Sequence, residues 1–301
     1  MMDRRSQLNR TNIRLALIGV ALLAATITLT SCSSKVEVWV EAGESIQAAI
    51  DRAEPGTVIL LTGQVGHPWR ENLIIDKSIT LRGQGDRSVI EGGTSAGLGA
   101  AILIESTERI VVELEGITVK GGDILIVQIS GSAKATLTNC IVSEPGDRFG
   151  TGIEIRDFAQ ASISDCTVSK SFRGIVFGNS TLVTINNSLI SQNEMSGIVL
   201  DGFAQVTITN STIKDSVYGI GLSDSTQATL VNNTISENER YSISLYQKRE
   251  DIEGVDMSGF PDTFAGYVTG KKNTFSGVGI LSDGLEFLRT SEGGELDRRG
   301  D

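Results

Sequence analysis

Four acidic residues hold the places where chemistry would be sought. Glu154 stands between two isoleucines, Asp157 and Asp224 each follow a recurring small residue by five positions, and Asp201 follows one by four. If the segments carrying them stack as adjacent strands at about 4.8 Å, Asp201 and Asp224 lie one layer apart. That is close to the separation of about 5–5.5 Å used by retaining glycosidases, and pairs two layers apart approach inverting geometry. Any stacked array offers such spacings, so solvated turns are the competing reading, with a weak calcium site at those turns as a further one. The single histidine, His67, sits in a Gly-His-Pro-Trp turn beside Trp69. A chain with one imidazole is poorly equipped for a serine or cysteine triad.

The elements that must position these acids are visible as a repeat. ATLTNCIVS at 135, ASISDCTVS at 161, VTINNSLIS at 183, VTITNSTIK at 206 and ATLVNNTIS at 228 return about every 22 to 23 residues. A period of that size indicates stacked repeats rather than one globular core. A second phrase runs in phase: Gly152, Gly174, Gly197 and Gly219, with Ser242 in the last copy, each open a stretch such as GIEI or GIVF. Ile153 and Ile155, Ile175 and Phe177, Ile198 and Leu200, and Ile220 and Leu222 recur at spacing two, which is strand periodicity with one face buried.

The first phrase alternates likewise through Leu137, Ile163, Ile185, Ile208 and Leu230, and breaks at Asn139, Asp165, Asn187, Asn210 and Asn232. It resumes at Val142, Val168, Ile190, Ile213 and Ile235. Asn and Asp tolerate left-handed backbone angles at a tight bend, and stacked coil on coil they are expected to form an internal ladder of bonded amides. Three short strands per turn, without a helical period, predict an all-β right-handed parallel β-helix of seven or eight coils. The spacing of leucine-rich repeats is absent. Earlier copies are read at 112 (VELEGITV) and 78 (SITLRG).

At the amino end, SIQAAIDRAEPGTVILL (45–61), RENLIIDKSITLRGQG (70–85) and SVIEG (88–92) resemble the opening of the pectate-lyase-like β-helix superfamily, in its broad group of parallel β-helix repeats. That resemblance implies a short capping helix at 45–54, for which Ile46, Ala49, Ile50 and Ala53 give the apolar stripe. It covers roughly residues 36 to 285 and specifies fold far better than function. The Asn-Thr-Asp and Gly-His-Gly motifs of polygalacturonases, the Asp-Pro-His-Asp of alginate epimerases and the paired aspartates of pectin methylesterases are missing. By resemblance the chain is a non-catalytic member or one with other chemistry. An accessory role in copper-enzyme maturation is disfavoured by the scarcity of histidine and methionine.

Residues 1–31 combine four arginines with an apolar run from Leu15 to Thr30 ending in Leu-Thr-Ser-Cys, which reads as a lipoprotein signal. Cys32 is the expected lipidated first residue, followed by a tether over 32–36, the β-helix over 37–285 with an irregular insertion or cap at 247–272, and a disordered tail over 286–301. The expected location is the cell envelope, the outer membrane where one exists. Removing four arginines and one aspartate leaves 22 basic against 36 acidic residues, a net charge of −14. This field disfavours nucleic acid and repels polyuronates, so neutral polysaccharide is the expected partner of a monomer that needs no cofactor. The candidate binding surfaces are the outward hydroxyls Thr136, Thr138, Ser162, Ser164, Thr184, Thr207, Thr209 and Thr229, with Asn186 among them, and the aromatics Phe158, Phe203 and Tyr246. The functional expectation is a polysaccharide-binding or scaffold module, with a polysaccharide lyase or glycoside hydrolase as alternative. Cys140 and Cys166 occupy one position of adjacent repeats and are expected to stack inside the coil, with a disulfide or two free thiols both open.

Overall fold

The computed structural model describes residues 35–94, 99–245, 266–277, 280–281 and 288–290. Strand follows strand around a right-handed parallel β-helix of about nine turns, in which a 17-stranded and a nine-stranded sheet run along the axis. Every pairing between the strands is parallel, and each links a residue to its counterpart one coil on. Ile153 faces Ile175, Ile175 faces Ile198, and Ile198 faces Ile220. The alternation read from the sequence places these side chains in one continuous buried column, where each apolar ring of the coil covers the next.

Three corners close each coil between Lys134 and Ser225, and each is a residue with positive φ. Asn139, Asp165, Asn187, Asn210 and Asn232 turn the first corner with φ between 48° and 56°. Glu144, Lys170, Gln192, Asp215 and Glu237 turn the second, and Asp157, Asn179, Gly202 and Asp224 the third. The repeat glycines are needed for close approach: a Cβ on Gly174 would lie 2.5 Å from the Gly197 carbonyl oxygen and 2.8 Å from Asn193 Nδ2.

The amide ladder lies outside, correcting the expectation that it is internal. Asn139, Asp165, Asn187, Asn210 and Asn232 are all exposed, and Asn232 Nδ2 donates to Asn210 Oδ1 at 2.8 Å across solvent-facing corners. A left-handed residue turns its own side chain outward, and the residue after it begins the next strand facing in. The internal stack is therefore Cys140, Cys166, Ser188, Ser211 and Asn233, all buried.

Helix α1, Ile46–Arg52, closes the amino end with Ile46, Ala49 and Ile50 buried. Among the described residues no helix is long and apolar enough to cross a membrane. At the other end the ladder resumes earlier than the repeat suggested. Tyr267–Lys271 pairs with Gln227–Val231, inside the stretch read as an insertion, because Gly270 replaces the apolar residue at Leu230 and hides the alternation. Leu288–Thr290 pairs with Val268–Gly270, within the stretch read as tail. Divergent first and last coils of this kind explain why nine turns yielded only seven or eight to the repeat count. Cys32, the signal segment and Tyr246 lie outside the described residues.

Candidate functional site

The acids are carried outward by the strand alternation and the third corner. In Thr151–Ile155 the isoleucines point in, so Glu154 points out between them. Arg156, Gly178, Asp201 and Ser223 precede the corner in successive coils, and Phe158, Ser180 and Phe203 follow it. These rows enclose an open groove lined by Glu154, Arg156, Asp157, Phe158, Asp201 and Phe203, with Val176, Asn179 and Ser180 across the middle coil.

Backbone bonds fix the groove's pitch. Ser180 N–H donates to Asp157 O at 2.9 Å and Phe203 N–H to Asn179 O at 2.7 Å, so Phe158 and Phe203 stand two coils apart, roughly 9.6 Å at the usual strand spacing. Both rings project into solvent, 71% and 66% exposed. Two solvated phenyl faces at a regular interval over a polar floor are an arrangement that a flat, partly apolar ligand fits.

The four acids have unequal surroundings. Asp157 Oδ2 accepts from Gly131 N–H at 3.0 Å, and Asp224 Oδ2 accepts from Gly202 N–H at 2.9 Å and from Ser223 Oγ at 3.2 Å. Each ties its corner to the coil before it, which is a structural duty. Asp201 Oδ1 accepts from Ser223 Oγ at 2.6 Å. Glu154 is 7% exposed; its Oε1 pairs with Arg156 Nη2, while its Oε2 is buried without a hydrogen-bond partner. The structure thus brings Glu154, Asp157 and Asp201 into one groove, with Asp224 outside its lining, tied to the backbone of the coil before.

Among the described residues no group of three or more His, Cys, Asp or Glu is arranged to hold a metal ion. His67 is exposed in a turn where its N–H donates to Gln64 O at 3.1 Å, and Trp69 is buried in the core. Cys140 and Cys166 are free, buried thiols, Cys140 N–H donating to Cys166 Sγ at 3.4 Å. The hydrogen bond with Cys140, together with burial, pushes the Cys166 thiol far above its ordinary value. A thiol so held is protonated and inert.

The hydroxyl rows lie on the outer face of the long sheet and bond along the axis, Thr184 Oγ1 to Ser162 Oγ at 3.2 Å and Thr269 Oγ1 to Thr229 Oγ1 at 3.3 Å. Sequence reading missed a further cluster. Phe149 and Phe172 meet edge to face at 5.2 Å, with Arg148 and Arg173 over their rings at 5.4 and 5.6 Å. Phe149 lies in the extra loop that lengthens its coil, so no repeat position announced it.

A model of the right-handed β-helix region matches residues 125–277, just over half of the chain. The chain belongs to this right-handed β-helix family. No curated protein sequence matches this β-helix. Among solved structures it resembles pectate lyase Pel9A, with 12% identity over 85% of this chain and 79% of that one and a TM-score of 0.60. It also resembles the pectin methylesterase PemA from Erwinia chrysanthemi, with 15% identity, 83% and 94% coverage and a TM-score of 0.54. A pectin methylesterase in complex with a hexasaccharide gives 16%, 80% and 90%, and 0.51. Identities this low establish the shared fold alone.

Proposed function

We propose that this β-helix is a non-catalytic module that holds an extended neutral polysaccharide along its axis, in the groove between Phe158 and Phe203. The observation that carries the reading is the pair of exposed phenyl rings two coils apart over a floor of hydrogen-bonding groups. The apolar face of a pyranose packs on a phenyl ring, and a linear glycan presents such faces at regular intervals. Three carboxylates against one arginine along the groove, in a chain of net charge −11, favour an uncharged ligand. The solved structures named above are a pectate lyase and two pectin methylesterases, one of them in complex with a hexasaccharide, which agrees with a carbohydrate ligand here.

The test is a binding screen of the purified protein against neutral and acidic polysaccharides, with and without calcium, reading both retention and new reducing or unsaturated ends. Retention of a neutral glycan without product, lost on Phe158→Ala or Phe203→Ala, is expected. Product formation would replace the module with the enzyme reading, a polysaccharide lyase or glycoside hydrolase. Glu154 and Asp201, two carboxylates in one groove, favour that second reading.

The proposal places the module at the cell envelope, anchored through lipid on Cys32, because the preceding apolar run ends in a lipoprotein-type sequence. Two acyl chains make such an anchor stable where one is marginal. Cys32→Ser is expected to move the protein from the membrane to the soluble fraction; retention in the membrane fraction would point to an uncleaved anchor instead.

A further inference from the structure

We infer that Glu154 selects the ligand of this groove, its orphaned oxygen accepting a hydroxyl of an uncharged sugar and turning uronates away. The inference rests on the groove reading above and adds to it the residue and the chemical class it takes.

The short sheet's outward column that contains Glu154 reads Ile74, Leu103, Gln128, Glu154, Val176, Val199, Gly221 and Ser244, each in register with the next. Glu154 is the sole ionisable residue of those eight. A strand at this place asks only for a residue that covers the sheet, and the valines one and two coils on meet that need without any charge. Placing a carboxylate here carries a cost that its surroundings offset by half. The side chain is 10% exposed, one oxygen is paired with the Arg156 guanidinium, and the other has no partner. An unsatisfied buried acceptor costs about 1–3 kcal/mol, more when charged, and a ligand hydroxyl that meets it once the carboxyl group turns toward the groove returns that penalty as binding energy.

The other groove acids lack this property. Asp157 and Asp201 each spend an oxygen on a corner backbone or on Ser223. Neither has an oxygen that is buried without a partner. Glu154 is the groove carboxylate whose free acceptor is dry.

A carboxylate oxygen only accepts, so the ligand group must donate. A sugar hydroxyl does so, whereas a uronate carboxylate would stand beside the like charges of Asp157 and Asp201, with that of Glu154 offset by Arg156. Arg156, half exposed, is the cation in the groove lining, and its Nη2 donates to Glu154 Oε1. The pair therefore carries no net charge, so Arg156 attracts a uronate less than an unpaired guanidinium would.

Full-length protein, Glu154→Val and Phe158→Ala are titrated calorimetrically with cellohexaose, xylohexaose, mannohexaose and hexagalacturonate, with and without calcium. A neutral hexasaccharide is expected to bind and hexagalacturonate to fail. Glu154→Val, which restores the residue type of the next coil, is expected to lose tenfold or more in affinity, about 1.4 kcal/mol, while its melting temperature stays level or rises. Undiminished binding by Glu154→Val with loss in Phe158→Ala would overturn the selector and leave the groove standing. Calcium-dependent hexagalacturonate binding abolished by Glu154→Val would overturn it in favour of a cation site. Failure of all four probes with the native protein, or binding insensitive to both variants, would overturn the groove reading as well.

Discussion

At the scale of residues, the coil interior is held by a relay in which each backbone N–H donates to the inward side chain of the next coil. Cys166 N–H reaches Ser188 Oγ at 3.1 Å, Ser188 N–H reaches Ser211 Oγ at 3.1 Å, and Ser211 N–H reaches Asn233 Oδ1 at 2.8 Å. Asn233 also donates from Nδ2 to Ile208 O at 2.8 Å. Asn233→Ala would orphan the buried Ser211 N–H, at about 1–3 kcal/mol, and remove a side-chain bond to a carbonyl within the strand ladder. Asn233→Ser puts back the hydroxyl that serves the two preceding coils, and is expected to recover at least half of the loss in urea unfolding. Equal destabilisation by the two variants would show that packing rather than the relay sets the cost. The sequence showed this slot as stacked and inward through its cysteines. It also presented five corner Asn and Asp residues whose polar side chains looked like better interior partners. Residue type alone does not disclose that a left-handed corner reverses the facing of its own side chain; only the phase of the following strand does. The same limit applied to the groove: strand alternation showed Glu154 to point outward, but its burial depends on Arg156 and on neighbouring coils, which no periodicity encodes.

At the scale of elements, the solenoid must close its ends and tie one coil to the next. The seven-residue helix α1 is too short to be stable alone. Glu71 holds it in place: its carboxylate accepts from Ile46 N–H at 2.6 Å and from Ser45 Oγ at 2.8 Å, while Ser45 Oγ accepts from Ala48 N–H at 3.1 Å. The first strand, Glu37–Glu41, is an edge of the long sheet, and Glu44 blunts it by accepting from Glu41 N–H at 2.8 Å. Charge at a strand edge discourages pairing with another chain. Between coils, the Thr80 hydroxyl, joined by Lys35 and Arg82, draws the Glu113 carboxyl below its ordinary value, and Lys170 does the same for Glu144. The stripe of the cap helix was plain in Ile46, Ala49, Ile50 and Ala53. Glu71, 25 residues downstream of Ile46, was not, because a cap supplied from another element leaves no local pattern.

At the scale of the whole molecule, a solenoid has no single core, only a column in which each coil is covered by two neighbours. Its stability is then close to a sum of coil and interface terms, and damage should remain local. Ile198 is fully buried and in register with Ile175 and Ile220. Ile198→Asp would place an unpaired charge at the centre of three stacked coils, at a cost above what they can supply. A two-state protein would unfold throughout. Here the coils around residue 198 are expected to open while the amino-terminal ones, closed by α1 and by the longest run of paired strands, persist. Hydrogen exchange tests this: amides of the strands between Thr151 and Leu245 should lose protection, and those between Val58 and Gly92 should keep most of theirs. Uniform loss along the chain would show that the nine turns unfold as one cooperative unit, and an unchanged exchange pattern would show that Ile198 does not face the column. The distinction bears on function, because a groove spanning three coils requires only those coils and their neighbours to be folded, leaving the two ends free for other work.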